Sequence, residues 1–333
     1  MQDVTIIIPN YNGKRLLENC LKTLEKQTYK GFKVLVVDNG SKDGSVSVTS
    51  EVLDMEIVSL TENLGFCGAV NLGIQKTKTP YIILLNNDTE VDEQFVEALL
   101  NAIQRSKQIF SCGAQMIDFK NHEILDNAGD LYTALGWAVA RGKGKRCADY
   151  EKAVRVFSCC AGAAIYRMDV LQRIGGLDEY HFAYLEDVDL GYRARIAGYE
   201  NWYEPEARVY HVGSATTGTR YNEKKVFLAA RNTIFVVYKN MPLIQIILNS
   251  PFILLGIFVK TLFFMKKGFV HEYWRGMKEG VRDCKKCWKV RYRKQNLWNY
   301  IYIQIELWIN IFRVLSGKSY QIINIILQMI RKY

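Results

Sequence analysis

The chain has 333 residues, 49% hydrophobic and 23% charged, an ordinary globular balance with room for a sizeable core and about two domains. The net charge of +10 is concentrated at one end: from Lys260 to Tyr333 sixteen Lys and Arg face four Asp and Glu, which excludes a basic surface over the whole chain. A basic tail of this kind meets nucleic acid or anionic lipid. At the N-terminus, Val4 to Ile8 is too short an apolar run for a signal peptide. The eight cysteines then read as reduced thiols, and Cys284-Lys285-Lys286-Cys287 is a lone C-x-x-C without a second half.

In chain order, Val4 to Ile8 predicts a strand that stops at Pro9, and Leu16, Leu17, Cys20, Leu21 and Leu24 predict a helix to about Gln27. Lys33 to Val37 and Ile57 to Leu60 predict two further strands, the first followed by the turn Asn39-Gly40-Ser41. A helix passes through Asn71, Leu72 and Ile74, and Tyr81 to Leu85 predicts a fourth strand. Strands alternating with helices imply βαβ units, a parallel sheet and a nucleotide-type cleft at the strand ends. Three of those ends are polar and fall on one edge: Pro9-Asn10-Tyr11-Asn12, Asp38-Asn39-Gly40-Ser41 and Asn86-Asn87-Asp88. Tyr11 offers a face for a base, and Asp38 suits the imide N–H of uracil or thymine, or serves as an ordinary turn residue. Asp88 reads as ligand to a divalent cation shared with substrate phosphate, or as a helix cap. No G-x-G-x-x-G or P-loop is present.

Asp92 to Ser106 predicts an amphipathic helix and Ile109 to Ile117 a strand. The weakly periodic stretch from Asp118 to Val154 is too long to be a passive loop and reads as a substrate-facing excursion. Its cluster Arg141, Lys143, Lys145 and Arg146 is open between phosphate grip and solvated loop. In Cys160-Ala161-Gly162-Ala163-Ala164 the small residues imply a close backbone approach. After a helix over Met168 to Ile174, Glu186-Asp187-Val188-Asp189 opens another. Its carboxylates suit the helix dipole, and one of Glu186 and Asp187, which point in different directions, can face a cleft as general base.

The motifs Ile8-Pro9-Asn10-Tyr11-Asn12, Val37-Asp38-Asn39-Gly40-Ser41, Glu62-Asn63-Leu64-Gly65-Phe66, Leu85-Asn86-Asn87-Asp88-Thr89, Gly176-Leu177-Asp178-Glu179 and Glu186-Asp187-Val188-Asp189-Leu190, in this order, resemble family 2 glycosyltransferases of the GT-A fold, a Rossmann-like α/β architecture, and within them the bacterial rhamnosyltransferase-like branch. The resemblance covers residues 3 to about 240. It implies inverting sugar transfer from a nucleoside-diphosphate donor, dTDP-rhamnose ahead of a UDP-hexose, with Mg2+ or Mn2+ on the diphosphate. On this resemblance Asp187 is the catalytic base, with Glu186 beside it. Pro9, Tyr11, Asn12, Asp38, Ser41, Asn63, Gly65, Asn71, Asn86, Asn87 and Arg231 bind the donor, while Asp88 and His211 attend the metal. Asn86 stands where the family's D-x-D motif begins with Asp. Arg231-Asn232, placed at the end of a helical pattern from Tyr221, looks like the family's pair near the diphosphate.

The implied organisation is a catalytic domain over 1–240, nucleotide-sugar half about 1–117 and acceptor half about 118–240, followed by a membrane-associating region over 241–333. Leu243 to Phe264 is apolar but interrupted by Gln245, Asn249, Ser250, Pro251 and Lys260, which favours helices lying in the interface or hairpinning into it. Asp283 to Lys294 is densely basic, with Trp288 and Tyr292, and Leu297 to Leu315 and Ile322 to Ile330 are again apolar. This predicts an enzyme at the cytoplasmic face of a membrane, peripheral or monotopic, acting on a polyprenyl-diphosphate-linked or other saccharide acceptor; the other reading of the apolar surface is a subunit interface. Two alternatives differ in kind. A nucleotidyltransferase on a similar sheet releases pyrophosphate instead of a nucleoside diphosphate. A nucleic-acid-binding protein fits poorly, because an Asp-rich cleft repels a polynucleotide.

Overall fold

A computed structural model describes residues 2–213 and 221–316. The first 118 residues contain β1 (Val4–Asn10), α1 (Lys14–Leu24), β2 (Phe32–Asp38), β3 (Met55–Ser59), α2 (Gly65–Lys76), β4 (Tyr81–Leu85), β5 (Thr89–Val91), α3 (Phe95–Gln104) and β6 (Ile109–Asp118). The expected excursion holds short strands: β7 (Asn121–Asn127), β8 (Asp130–Tyr132), β9 (Ala138–Ala140) and β10 (Val154–Val156). Then come β11 (Ala163–Arg167), α4 (Met168–Ile174), α5 (Glu186–Ile196), β12 (Glu200–His211), α6 (Glu223–Asn240), α7 (Leu243–Lys267), α8 (Val270–Asp283) and α9 (Leu297–Ser316).

Ten strands form one sheet with the path β10-β12-β6-β11-β4-β1-β2-β3, to which β5 adds on β12 and β7 on β6. From β4 to β3 every pairing is parallel, whereas β11 enters antiparallel between β4 and β6. Parallel strands need cover on both faces. Ile6 and Ile8 of β1 accordingly pack with Leu17, Leu21, Phe95 and Leu99 of α1 and α3. Ile7 faces the other way, into a core with Val70, Leu171 and Leu190 from α2, α4 and α5. The β1–β2 pairing sets Asn10 opposite Asp38, so the polar strand ends lie level with one another.

Residues 241–316 are packed against this core. Gly276 and Gly280 let α8 approach α6 so closely that a Cβ would lie 2.3 Å from the Phe227 carbonyl oxygen and 2.8 Å from that of Arg231. Tyr300, Ile303 and Leu307 of α9 join Tyr132, Phe157 and Tyr192 in a third core. Despite Pro251, α7 is a continuous 25-residue helix and is long and apolar enough to cross a membrane by length and composition. Its amphipathicity is inverted. Gln245 and Asn249 are buried while Leu243, Ile244, Ile247, Leu254, Leu255 and Phe258 are exposed. Asn249 and Gln304 exchange two amide hydrogen bonds (2.9 and 2.7 Å), and Gln245 donates to the Tyr300 carbonyl at 3.0 Å. Two of the polar interruptions, Gln245 and Asn249, thus form a seam between α7 and α9. The expected apolar run Ile322 to Ile330 lies outside the described residues.

Candidate active site

A chain of side-chain bonds ties the strand ends together. Asn87 Nδ2 donates to Asn10 Oδ1 (2.6 Å), and Asn10 Nδ2 donates to Asp38 Oδ1 (3.0 Å). The other Asp38 oxygen accepts the Ser41 N–H at 2.9 Å. Ser41 Oγ accepts the Asn12 N–H, and Asn12 Oδ1 accepts that of Lys42, both at 2.8 Å. Asn12 takes the left-handed φ of 50°, which Asn tolerates better than most residues. Asp38 is turned inward and organises the loop, leaving Tyr11 beyond Pro9, 39% exposed, as the open ring face. Asn39 binds Asn63 Oδ1 (3.1 Å) and the Gly65 carbonyl (2.9 Å), fastening the third loop to the second. Asn10 occupies the centre of this network and was not among the predicted site residues; its position at a buried strand end was the available signal.

On the far side of β4, Asp88 faces His211 at the end of β12, with Oδ1 3.4 Å from Nε2. His211 Nδ1 lies 2.9 Å from Asp126 Oδ2 on β7, and Asp126 is ion-paired with Lys143. Burial alone would lower the His211 pKa, but its bonds to Asp126 and Asp88 raise it to about 9. An imidazole braced on one nitrogen by a carboxylate and offered beside another is the arrangement in which His ligates metals. Asp88 and His211 therefore suit a hard or borderline divalent cation that takes its remaining ligands from phosphate oxygens. No group of three His, Cys, Asp or Glu able to hold a metal occurs among the described residues, so protein side chains alone do not complete a cage. Lys225 in the first turn of α6 also reaches this region: burial lowers its pKa and the Asp88 charge opposes that. Neither Asp126 nor Lys225 carried a sequence signal, since one lies in the weakly periodic excursion and the other beside an ordinary N-cap, Asn222.

The acidic helix start closes the cleft. Asp187 Oδ2 accepts the Ala161 N–H at 3.4 Å, and Oδ1 accepts that of Val188 at 2.8 Å. The adjoining Gly162 carbonyl accepts the Asn86 N–H at 2.9 Å, and a Cβ on Gly162 would come 2.9 Å from Asn86 Nδ2. This is the close approach that the small-residue run implies, and it sets Asp187 beside Asn86-Asn87-Asp88. Glu186 is buried, and its Oε2 has no hydrogen-bond partner among the described residues. Burial first, then the Asp187 charge, pushes Glu186 up to about 8. Burial also raises Asp187, opposed by the Val188 and Ala161 amides. With two amide donors on Asp187 and an unpartnered oxygen on Glu186, the proton stays on Glu186 and Asp187 is the ionised member. Asp130, also buried, adds a third carboxyl; burial and the Asp187 charge raise its pKa.

Two predicted donor contacts sit elsewhere. Asn71 accepts the Leu177 N–H (2.9 Å) and donates to the Leu177 carbonyl (2.8 Å) and Glu179 (3.0 Å), latching α2 onto the Gly176-Leu177-Asp178-Glu179 turn. Arg231 is in mid-helix, because α6 runs on to Asn240, and donates to the Tyr180 and His181 carbonyls (2.8 and 3.0 Å) and to Glu279 (3.3 Å). Further along α6, Lys239 is fully buried between Asp178 (2.7 Å) and Asp189 (2.9 Å). Arg193 shares Asp189 at 3.0 Å, and the Trp288 ring covers both cations.

A half-parallel α/β sheet with acidic and amide groups gathered at its strand ends is an architecture that glycosyltransferases of the GT-A fold share. Residues 5–175 match glycosyl transferase family 2, and the chain belongs to that family. It is 26% identical over 269 residues to an N-acetylglucosaminyl-diphospho-decaprenol L-rhamnosyltransferase of Mycobacterium tuberculosis, covering 70% of this chain and 86% of the relative. It is 28% identical to the O-antigen chain rhamnosyltransferase RfbN of Salmonella typhimurium, covering 68% and 72%. The mannosyltransferase PcManGT of Pyrobaculum calidifontis, solved with GDP-Man and Mn2+, superposes with a TM-score of 0.52 at 15% identity, covering 89% of this chain and 87% of that one. That likeness establishes a common GT-A fold. The protein is a glycosyltransferase with rhamnosyltransferase relatives. The family match ends at residue 175, before Glu186, Asp187, His211 and Arg231.

Proposed function

We propose that the protein transfers a sugar, with inversion, from a pyrimidine nucleoside-diphosphate donor to a lipid-linked saccharide at a membrane surface. The observation that carries the reaction is the run Asp187–Ala161–Gly162–Asn86, which holds the Asp187 carboxyl group beside the polar end of β4. Asp187 takes the proton of an acceptor hydroxyl, the freed oxygen forms the new bond to the anomeric carbon, and the bond to the diphosphate breaks on the opposite face. Asp88 and His211 are the residues that would hold Mg2+ or Mn2+, whose charge offsets that of the departing nucleoside diphosphate. Lys225 adds positive charge at the same place. dTDP-rhamnose comes first as donor because two relatives carry rhamnosyltransferase names, ahead of a UDP-hexose.

The inverted helix α7 supports the membrane part. Its polar seam is paired with α9, and its Gly256 carbonyl accepts the indole N–H of Trp137 at 3.3 Å, so it lies along the catalytic core and turns its apolar side outward. A helix fastened lengthwise to a water-soluble domain lies in the bilayer interface instead of crossing it. The six basic residues from Lys285 to Lys294 add attraction to anionic lipid. On this reading residues 241–333 form a membrane-association region built onto the catalytic domain, and the acceptor is a polyprenyl-diphosphate-linked saccharide, as the name of the mycobacterial relative has it. The test is Asp187→Asn, which keeps the shape and removes the base. Donor affinity should hold while turnover falls by about a hundredfold or more. Near-normal turnover there, with collapse in Glu186→Gln, moves the base by one residue.

A further inference from the structure

The segment from His181 to Leu185 is strained along most of its length. Phe182 stands at φ 61°, ψ −60°, with the Ala183 N–H donating to the His181 carbonyl at 2.7 Å, a γ-turn of the rare hand. Tyr184 (φ 74°) and Leu185 (φ 64°) follow in the left-handed region, and neither is a residue that enters it readily. The chain passes directly from them into Glu186 and Asp187, and the Asp189 N–H closes the first turn of α5 on the Leu185 carbonyl at 2.9 Å. Any relaxation of these dihedrals therefore swings the start of α5 and Asp187 with it. Such a stretch persists only where its surroundings over-determine it.

The surroundings do so through one side chain above all. Asn232 is fully buried, and its Nδ2 lies 2.9 Å from the His181 carbonyl, 2.9 Å from that of Ala183 and 2.7 Å from that of Tyr184. Two amide hydrogens thus serve three carbonyls of one turn. Arg231 adds bonds to Tyr180 and His181 and, through Nε, fixes Asn232 Oδ1 at 3.1 Å. On the nucleotide side the Phe182 carbonyl accepts the Cys67 N–H at 3.1 Å. The Phe182 ring and carbonyl fill the space that a Cβ on Gly65 would need, both 2.6 Å from it.

We infer that Asn232 is a positioning residue for the glycosyl transfer: it clamps the strained 181–185 turn and so aims Asp187 at the acceptor hydroxyl. This rests on Asp187 being the base. It gives the Arg231-Asn232 pair a place under the base loop, and it makes the turn a mechanical link between Gly65 and Cys67 on the donor side and Asp187 on the acceptor side.

The test uses the full-length chain with Asn232→Ala, read by nucleotide calorimetry, thermal melting and the pH dependence of transfer. A base displaced by about 1 Å loses on the order of a hundredfold in rate. The expected result is nucleotide affinity within about twofold of wild type, kcat lower by about thirtyfold or more, and a displaced pH–rate limb. In the Asp187→Asn background the same substitution should cost little more, because it acts through Asp187. Adding Leu185→Gly to Asn232→Ala should restore part of kcat, since glycine enters positive φ freely; a purely structural asparagine predicts a further loss. If alanine yields no folded protein, Asn232→Ser, which keeps one donor, carries the same comparison. A kcat within about threefold of wild type in Asn232→Ala, beside an inactive Asp187→Asn, overturns the inference and leaves the base reading standing. Normal turnover in Asp187→Asn overturns the base reading itself.

Discussion

Replacing Lys239 with methionine tests how α5, the helix that presents Asp187, is fastened. Methionine keeps most of the volume and removes the cation. Asp178 would keep the Tyr180 N–H (3.1 Å), and Asp189 would keep Arg193 (3.0 Å) and Asn240 (2.8 Å). Taking one partner from a buried ion cluster costs about 3–5 kcal/mol. The donors left on Asp189 place this case near about 3 kcal/mol, most of it from Asp178. Burial alone would raise the Asp189 pKa, but Lys239 and Arg193 outweigh it and hold the carboxyl well below its usual range. A depressed carboxyl contributes stability above its unfolded value, about 3.9 for Asp, and that stability is lost only as pH falls through the folded value. Without Lys239 the depression of Asp189 weakens, so the deficit should be full at neutral pH and shrink only as pH falls below the unfolded value, toward about pH 3. Urea unfolding followed by circular dichroism at the two pH values measures it. A deficit under about 1 kcal/mol at neutral pH, or one that does not change with pH, refutes the reasoning.

Asp88→Ala should abolish metal-dependent donor binding with little change in melting temperature, and normal turnover with Mg2+ or Mn2+ in that variant removes the metal assignment. Calorimetry should rank dTDP and UDP above GDP, and tighter GDP binding sinks the pyrimidine reading. Changing Lys285, Lys286, Lys289 and Arg291 to Gln should release the protein from anionic vesicles at low salt, at about 1 kcal/mol per charge; unchanged flotation, or a wild-type chain that stays with the soluble fraction, turns the apolar face into a subunit interface. Substitutions are the better probe than truncation after residue 240, because removing α8 and α9 would uncover their core partners Val226 and Ala230 on α6 and Tyr132, Phe157 and Tyr192.

The strand ends were legible in the sequence because a buried parallel strand must be apolar throughout and can turn polar only where it meets the cleft. That pattern exposed Asp38 and Asn86-Asn87-Asp88 without a structure. Asn10 was harder to assign, since its value lies in what it joins and not in what it shows to solvent. The excursion hid Asp130 because a strand of three residues, such as β8, is too short to establish a period, and Asp126 because β7, though seven residues long, has no polar–apolar alternation. Lys239 was invisible for a different reason: a lysine near a helix end reads as solvated, and only the fold brings Asp178, 61 residues away in sequence, against it. In α7 the polar interruptions were plain, but whether they faced water, lipid or another helix depended on α9, more than 50 residues further on.

The seam between α7 and α9 also constrains the order in which the molecule can form. Strands β1 to β4 are a run of neighbouring βαβ units whose pairing partners lie close in sequence, so they can form early. Asn249, by contrast, has to wait for Gln304, 55 positions later, and the Tyr132 carbonyl waits for Asn310 across 178 positions. Until then α7 carries unpaired amides on one side and bare hydrocarbon on the other, a poor object for either water or lipid. The apolar outer face of α7 and the core that α9 shares with Tyr132, Phe157 and Tyr192 are thereby completed in one step, when α9 docks.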